Sequence, residues 1–362
     1  MSNDAKKEWE AYRERELAGL TPILAELGHA LDDVQLHTTG ERYLLSGKKL
    51  VLTGTRLRDN AKVIIKASSH ELGAQEIAAE HATRHLLDTL PFAYGTLLSP
   101  KELLYTSRGG YTISVTAYLE QSQNFLARPL TEQFTLALRA LEAQEGVHAT
   151  TYGHAKIIQS AFGLWGAQEY MQSFADLEHT IALSDPSNTA LQETLTRART
   201  FFEMNRETIE QYCGFLTHTD FVPHNLRVQG GDIYLLDHPS LKFGNKHESW
   251  ARLTNFMMLY NPMLEQALLQ YVQGNRSPEE YLSLQLMRVY KLVFLLAFHT
   301  GNLAKTTDDL QRLTKERVAF WTQALKAVLE DKPLDEKIIR NYQHERDTLR
   351  SPEEKERQRE LH

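Results

Sequence analysis

The sequence predicts an α+β chain in two lobes: a small β-rich lobe with one main helix, and then a larger, mostly helical lobe. Short runs of β-branched and apolar residues, separated by turn residues, dominate residues 33–119. From Thr131 onward, apolar residues recur mostly at helical spacing. The length of 362 residues also exceeds the roughly 250–300 residues that one hydrophobic core normally holds.

The first part of the chain predicts a helix and then a β-meander. Leucines spaced three and four residues apart indicate a helix over residues 5–28, with Gly28 as its C-cap. A second helix is predicted over 72–90. Strands are predicted at 34–37, 42–45, 50–53, 62–66, 102–106 and 111–119.

The second part predicts helices and one β-rich island at 215–241. The predicted helices are 131–145, 155–182, 188–212, 247–273, 278–299 and 307–330. The end of the chain is rich in Glu and Arg, which predicts a solvated tail, either a frayed helix or disordered. We therefore divide the chain into an N-terminal helical extension (1–30), an N-lobe (31–120), a helical C-lobe (121–330) and a charged tail (331–362).

Composition excludes several classes of protein. The net charge of −7 argues against binding to nucleic acid. Cys213 is the only cysteine, so no disulfide forms within the chain, and we interpret it as a buried structural thiol in a reducing compartment. The charged N-terminus has no apolar core of a signal peptide, and no run approaches the roughly 20 apolar residues of a membrane span. We expect a cytoplasmic protein that does not bind membranes; the oligomeric state stays open.

One segment carries the chemistry. It reads His218-x-Asp220-x-x-x-x-Asn225, and Asp237 follows twelve positions later. Two apolar runs flank the turn at Gly230 and Gly231, so a hairpin would bring Asn225 and Asp237 to one pocket. Carboxylate and amide oxygens suit Mg²⁺, and a carboxylate can accept the proton of a hydroxyl group.

This segment resembles the catalytic motif of the aminoglycoside phosphotransferase and choline kinase group, which are relatives of the protein kinases. The resemblance covers roughly residues 34–256 and implies a protein-kinase-like bilobal fold. It implies an ATP-dependent kinase that phosphorylates a hydroxyl of a small molecule. It also implies Asp220 as catalytic base, Asn225 and Asp237 as Mg²⁺ ligands, and His218 as a residue that braces the loop.

Lys66 adds to the resemblance because it ends the apolar strand Val63-Ile-Ile-Lys66, as the conserved lysine strand of kinases does. The family implies that this lysine contacts the α- and β-phosphates of ATP. Glu76 and Glu80 lie on the following helix, and one of them should pair with Lys66. We prefer Glu80, because apolar positions typical of a core follow it; Glu76 lies one turn earlier on the same face and stays open.

Two parts of the nucleotide site are weakly marked. The phosphate-covering loop has only Gly47 at the expected place, where kinases show several glycines. Leu119 and Glu120 stand where the hinge between the lobes should receive adenine through backbone groups.

The segment after Asp237 differs from that of protein kinases. Asp237 is followed by His238 and Pro239 where protein kinases carry Phe-Gly, and no long activation segment follows, which favours a compact acceptor.

Three alternatives remain. The poor glycine loop fits a pseudokinase, a nucleotide-binding or scaffold module on the same fold, although the retained Lys66, Asp220, Asn225 and Asp237 oppose it. A protein kinase is disfavoured by the short segment after Asp237. A metallohydrolase is disfavoured because the chain has no His-Glu-x-x-His run.

Overall fold

The computed structural model describes residues 3–41, 49–90, 98–147 and 152–361. It has two lobes, a small antiparallel sheet with one long helix and a larger helical lobe, which confirms the predicted α+β fold. The prediction for residues 42–45 and the Gly47 loop fall outside the described residues.

The N-lobe is an antiparallel sheet of five strands, as far as the chain is described, with the order β1-β2-β3-β5-β4. Helix α1 (Asn3–Glu26) packs on one face of this sheet, where Trp9, Leu20 and Leu24 join the buried strand residues. The strands are β1 (His29–Leu31), β2 (Leu50–Arg56), β3 (Ala61–Ser68), β4 (Glu102–Arg108) and β5 (Tyr111–Ala117), and helix α2 (Glu71–Thr89) lies between β3 and β4.

The strand predicted at residues 34–37 is wrong. This segment is an irregular turn, and the edge strand is instead β1. The side chain of Gln35 explains the difference. Its amide nitrogen donates to the carbonyl of Thr53 (2.9 Å), and its amide oxygen accepts from the N–H of Thr53 (2.8 Å). A side-chain amide thus takes the place of a strand backbone beside β2.

The C-lobe is built around helix α10, most of which is buried. Together with the short turn after it, α10 is long and apolar enough to span a membrane by length and composition, yet 72% of its most apolar window is buried inside the protein. This is the pattern of a central core helix. The C-lobe helices are α3 (Leu130–Glu145), α4 (Tyr152–Phe162), α5 (Ala167–Ser184), α6 (Thr189–Met204), α7 (Arg206–Gln211), α8 (Glu248–Tyr260), α9 (Pro262–Asn275), α10 (Pro278–Gly301), α11 (Asp308–Leu329), α12 (Glu336–Leu349) and α13 (Pro352–Leu361).

Three long helices predicted from the sequence are each divided in two. The break between α4 and α5 contains Gly163, whose φ of +67° favours glycine. Asn205 separates α6 from α7, and Asn261 separates α8 from α9, where its side chain caps the helix that Pro262 begins. The apolar spacing continues across these breaks, so periodicity alone does not show them.

The β-rich island at 215–241 forms two small antiparallel pairs. Strand β6 (Phe215–His218) pairs with β9 (Leu241–Gly244), and β7 (Leu226–Gln229) pairs with β8 (Asp232–Leu235). Gly230 and Gly231 have positive φ and make the turn between β7 and β8. This arrangement places the loop after β6 and the segment after β8 side by side.

Candidate active site

A cleft of about 1100 Å³ lies between the two lobes. We call its two parts the proximal half and the distal half. The proximal half lies against the N-lobe sheet and is lined by Lys49, Val51, Ile64, Lys66, Thr116, Ala117, Tyr118, Leu119, Gln121, Leu236 and Asp237. The distal half lies beyond the loop after β6 and is lined by Glu41, Asp220, His224, Arg252, Phe256, Leu259, Tyr260, Leu295, Phe298, His299, Arg317, Trp321, Tyr342, Arg350, Glu354, Arg357 and Gln358.

Strand alternation places Lys66 in the cleft. Val63, Ile65 and Ala67 point into the core beneath α1, so Ile64 and Lys66 face the cleft. The Lys66 ammonium donates to both carboxylate oxygens of Glu80 at 2.6 Å and to the carbonyl of Leu236 at 3.0 Å. One cation therefore joins α2 to the residue that precedes Asp237.

Glu80 is the buried partner of this lysine. Its side chain is 1% exposed, and it also accepts from Arg84, one turn further along α2. Burial alone would raise the pKa of Glu80, but the charges of Lys66 and Arg84 outweigh it and hold that pKa below its ordinary value. Glu76 pairs instead with Lys49 at 3.0 Å. Of the two glutamates that the sequence left open, the structure places Glu80 against Lys66.

His218 braces the loop from below and does not face the cleft. It is fully buried, and its Nε2 donates to the carbonyl of Asp237 at 2.7 Å. Burial lowers the pKa of His218, which favours the neutral ring. Its backbone is held by Gln144, which accepts from the His218 N–H at 3.0 Å, and by Ser249, which donates to the His218 carbonyl at 3.0 Å. The sequence pattern did not identify Gln144 or Ser249, because both are remote in sequence from the motif.

Asp220 lies at the boundary of the two halves of the cleft. One carboxylate oxygen accepts from Arg252 Nε at 2.7 Å, and the other accepts from Asn225 Nδ2 at 2.7 Å. Burial would raise the pKa of Asp220, but the charges of Arg252, His224 and Lys291 outweigh it and hold the pKa well below its usual range. Asp220 is therefore an ionised acceptor. Arg252 was missed by sequence reasoning, since it lies 32 residues further on in α8.

Asn225 and Asp237 meet through the hairpin. The N–H of Leu236 donates to the carbonyl of Asn225 at 3.0 Å, so the two candidate metal ligands lie at adjacent strand ends. Ser240 donates to Oδ2 of Asp237 at 2.7 Å. Among the described residues, the amide oxygen of Asn225 accepts no hydrogen bond, and no group of three His, Cys, Asp or Glu side chains forms a metal cage. Two oxygen ligands beside a phosphate site fit Mg²⁺, which is usually held by few protein ligands together with phosphates.

His238 follows the candidate metal ligand Asp237, and the sequence assigned it no role. It occupies the position after Asp237, is fully buried, and neither ring nitrogen has a hydrogen-bond partner among the described residues. Burial, reinforced by the charges of Arg84, His218 and Lys66, lowers the pKa of His238 to about 2. The ring is therefore neutral.

Of the two predicted hinge residues, only Leu119 lines the cleft. Leu119 lines the proximal half, together with Tyr118, whose N–H donates to the carbonyl of Lys62 at 3.2 Å. Glu120 is not among the residues that line the cleft. Gln121 does line it, and its side-chain oxygen accepts from the N–H of Val228, which ties the hinge to the hairpin.

Aromatic side chains of the C-lobe lie in two different places. Phe256 and Tyr260 stack on one another at 4.3 Å and line the distal half. Trp165 and Tyr170 instead surround the ammonium of Lys242, which also pairs with the buried Glu248. Tyr170 is fully buried and Trp165 is partly buried, and neither lines the cleft.

Comparison with known proteins agrees with this architecture. No protein-family model matches the chain, and no curated protein matches its sequence. Among solved structures, a thermostable mutant of the aminoglycoside phosphotransferase APH(4)-Ia in apo form superposes with a TM-score of 0.59 at 14% identity, covering 85% of this chain and 97% of that one. A macrolide 2'-phosphotransferase type I gives 0.54 at 13% identity (84% and 97% covered), and spectinomycin phosphotransferase APH(9)-Ia with ADP and spectinomycin gives 0.52 at 14% (83% and 92%). The chain therefore has the kinase-like fold of these proteins.

Proposed function

We propose that this protein transfers the γ-phosphate of ATP to a hydroxyl group of a small molecule. The observation that carries the proposal is the convergence of two groups on one cleft. Lys66, fixed by Glu80, lies on the N-lobe side, and Asp220, Asn225 and Asp237 lie on the C-lobe side. These are the parts that phosphoryl transfer needs: a fixed cation, oxygen ligands for a metal ion and an acceptor for the hydroxyl proton.

In the proposed reaction, adenine occupies the space beside Tyr118 and Leu119, and Lys66 contacts the phosphates. Asn225 and Asp237 would hold Mg²⁺, which supplies neutralisation of phosphate charge when bound. Asp220 orients the acceptor hydroxyl and receives its proton as the new O–P bond forms; the bond between the γ-phosphorus and the β–γ bridging oxygen breaks, and ADP leaves. Positioning and charge stabilisation account for most of the rate gain.

The short connection after Asp237 supports a small acceptor. Only eleven positions separate Asp237 from the start of α8 at Glu248, and β9 in this segment is paired with β6. Solved relatives of this fold include the APH(4)-Ia complex with ADP and hygromycin B, with a TM-score of 0.57 at 14% identity, in which the partner is a small molecule.

The test is ADP release in the presence of Mg²⁺ and a panel of sugars, amino alcohols, nucleosides and aminoglycosides. We expect turnover with one class and a loss of at least 100-fold in Asp220→Ala. Asp232→Asn is the matched control, because Asp232 is an exposed carboxylate on β8 that pairs with Arg139 away from the cleft. Transfer that is unaffected by Asp220→Ala would refute the assigned role. A protein that binds no nucleotide with Mg²⁺ and transfers nothing would favour the scaffold alternative.

A further inference from the structure

We propose that the acceptor is an anion: a hydroxylated small molecule that also carries a carboxylate or phosphate group and an apolar or planar body. This inference rests on the proposed function, because it concerns the distal half of the same cleft. It follows from the charged side chains, the aromatic rings and the C-terminal helix that line this half.

The carboxylates of the distal half are already neutralised. Arg252 holds Asp220, and Arg317 donates to Glu41 at 2.6 Å. Arg357 holds Glu354 through two bonds of 2.9 and 2.7 Å. Each carboxylate among the described residues that line this half is therefore paired with an arginine. A polycationic acceptor would have to break these pairs to find a counter-charge, at the cost of leaving a guanidinium unpaired.

A cation remains available at the far end. Arg350 lines the cleft, and it forms no ion pair within 4 Å and no side-chain hydrogen bond with the described residues. Its Nε is buried without a partner. An unpaired guanidinium that faces a cavity is suited to a carboxylate or phosphate, which can accept two parallel hydrogen bonds from it.

The other side chains of the distal half also make its electrostatic potential positive. Desolvation, and then the charges of Arg317 and Arg252, hold the pKa of His299 well below its ordinary value, so this ring is neutral at pH 7. The distal half is lined by four arginines and three carboxylates, in a protein whose net charge is −7. The excess of cations is thus local to the cleft.

An aromatic surface connects Asp220 to this end. The ring of His224, four residues after Asp220, lies edge-to-face with the ring of Phe256, with 5.6 Å between the ring centroids. Phe256 in turn stacks on Tyr260. The guanidinium of Arg346 covers the Tyr260 ring at 5.4 Å, one helical turn before Arg350. Phe256 and Tyr260 both line the cleft, so an acceptor can place its hydroxyl at Asp220, its apolar body beside these rings and its anionic group at Arg350.

The charged end of the chain contributes directly to this half. Glu354 is 2% exposed and accepts from Thr39 at 3.1 Å, so α13 packs against the segment between β1 and β2. Arg350 and Arg357 come from the same stretch. The sequence predicted a solvated tail here, and the structure instead makes it a wall of the cleft.

The experiment uses four probes that share one ring and differ in charge: phenyl phosphate, phenylacetate, benzyl alcohol and benzylamine. Binding to the full chain is measured by calorimetry with Mg²⁺ and a non-hydrolysable ATP analogue at saturation, so that a phosphate probe does not report the nucleotide site. We expect the two anions to bind at least tenfold more tightly than the alcohol, and benzylamine to bind most weakly. The two anionic probes distinguish a carboxylate from a phosphate acceptor.

Variants locate the effect. Arg350→Gln should weaken anion binding at least tenfold without changing affinity for the nucleotide analogue, and Arg350→Lys should restore part of it. Arg340→Gln is the control, because Arg340 lies on the exposed side of α12. Equal or tighter binding of benzylamine, no binding of the anions, or an unchanged affinity in Arg350→Gln would overturn the inference. Failure of the nucleotide analogue to bind would instead count against the proposed function.

Discussion

Replacing Arg252 by Gln should change the pH range in which the protein is active. Arg252 is the largest favourable charge acting on Asp220, at 2.7 Å from Nε to Oδ1. Two unit charges about 4 Å apart interact by about 4 kcal/mol at an effective dielectric constant of about 20. The Asp220 side chain is 35% exposed, so water screens the pair, and about 1–2 kcal/mol is a suitable discounted value. This corresponds to about one pKa unit.

The sign follows from the direction of the shift. The pKa of Asp220 lies below its usual range in the folded protein, so the carboxylate is ionised at neutral pH and loses its charge only in acid. Without Arg252, burial acts against less opposing charge and the pKa rises. The acid limb of kcat/KM should therefore move about one unit to higher pH, while activity above about pH 7 changes less. Arg139→Gln is the control, because it removes an arginine from an exposed pair with Asp232.

The assay is ADP release against pH with the acceptor identified in the panel, for the wild type and both variants. Circular dichroism at each pH checks that the fold is retained. If Arg252→Gln lowers kcat/KM by the same factor at every pH, the acid limb has not moved, and Arg252 acts on the acceptor or the transferred phosphate without tuning Asp220. If the limb moves to lower pH, the electrostatic reasoning is wrong.

Three further predictions concern the Lys66–Glu80 ion pair, the proposed Mg²⁺ ligand Asn225 and the buried core helix α10. Glu80→Gln should lower the free energy of unfolding by about 3–5 kcal/mol in denaturant titrations, because Lys66 loses its buried counter-charge, whereas Glu76→Gln at a half-exposed pair should change it by less than about 1 kcal/mol. Asn225→Ala should raise the Mg²⁺ concentration for half-maximal ADP release about tenfold, and an unchanged Mg²⁺ dependence would contradict its role as a ligand. Leu292→Ala, in the fully buried middle of α10, should cost about 2–5 kcal/mol of stability, with the nucleotide affinity of the folded protein unchanged.

The sequence could identify the residues whose position depends on local patterns. Lys66 faces the cleft because a strand alternates its side chains, and Glu80 lies about two and a half turns into a helix whose apolar positions mark its inner face. Asn225 and Asp237 meet because two apolar runs flank Gly230 and Gly231. In each case the period of the element and its turn residues determine which way the side chain points.

Residues placed by packing between distant elements were not predictable. Arg252 reaches Asp220 only because α8 passes beneath the loop after β6, and the sequence records no distance between them. Gln144 holds His218 from α3, 74 positions earlier. The strand predicted at 34–37 failed for a related reason, since Gln35 replaces backbone pairing with its side-chain amide. Such contacts depend on the three-dimensional arrangement and leave no periodic pattern.

The end of the chain shows how composition can mislead. A stretch rich in Glu and Arg is usually solvated, because isolated charges are costly to bury. Here, however, opposite charges lie three residues apart on α13, so Arg357 neutralises Glu354 within the helix and allows it to be buried. Arg357 and Thr39 satisfy the Glu354 carboxylate, so Arg350, although its charge helps to lower the pKa of Glu354, forms no direct ion pair with a described carboxylate. This internal pairing allows Glu354 to be buried against Thr39, and among the described residues it leaves the Arg350 guanidinium without an acceptor, so that an anionic acceptor can bind it.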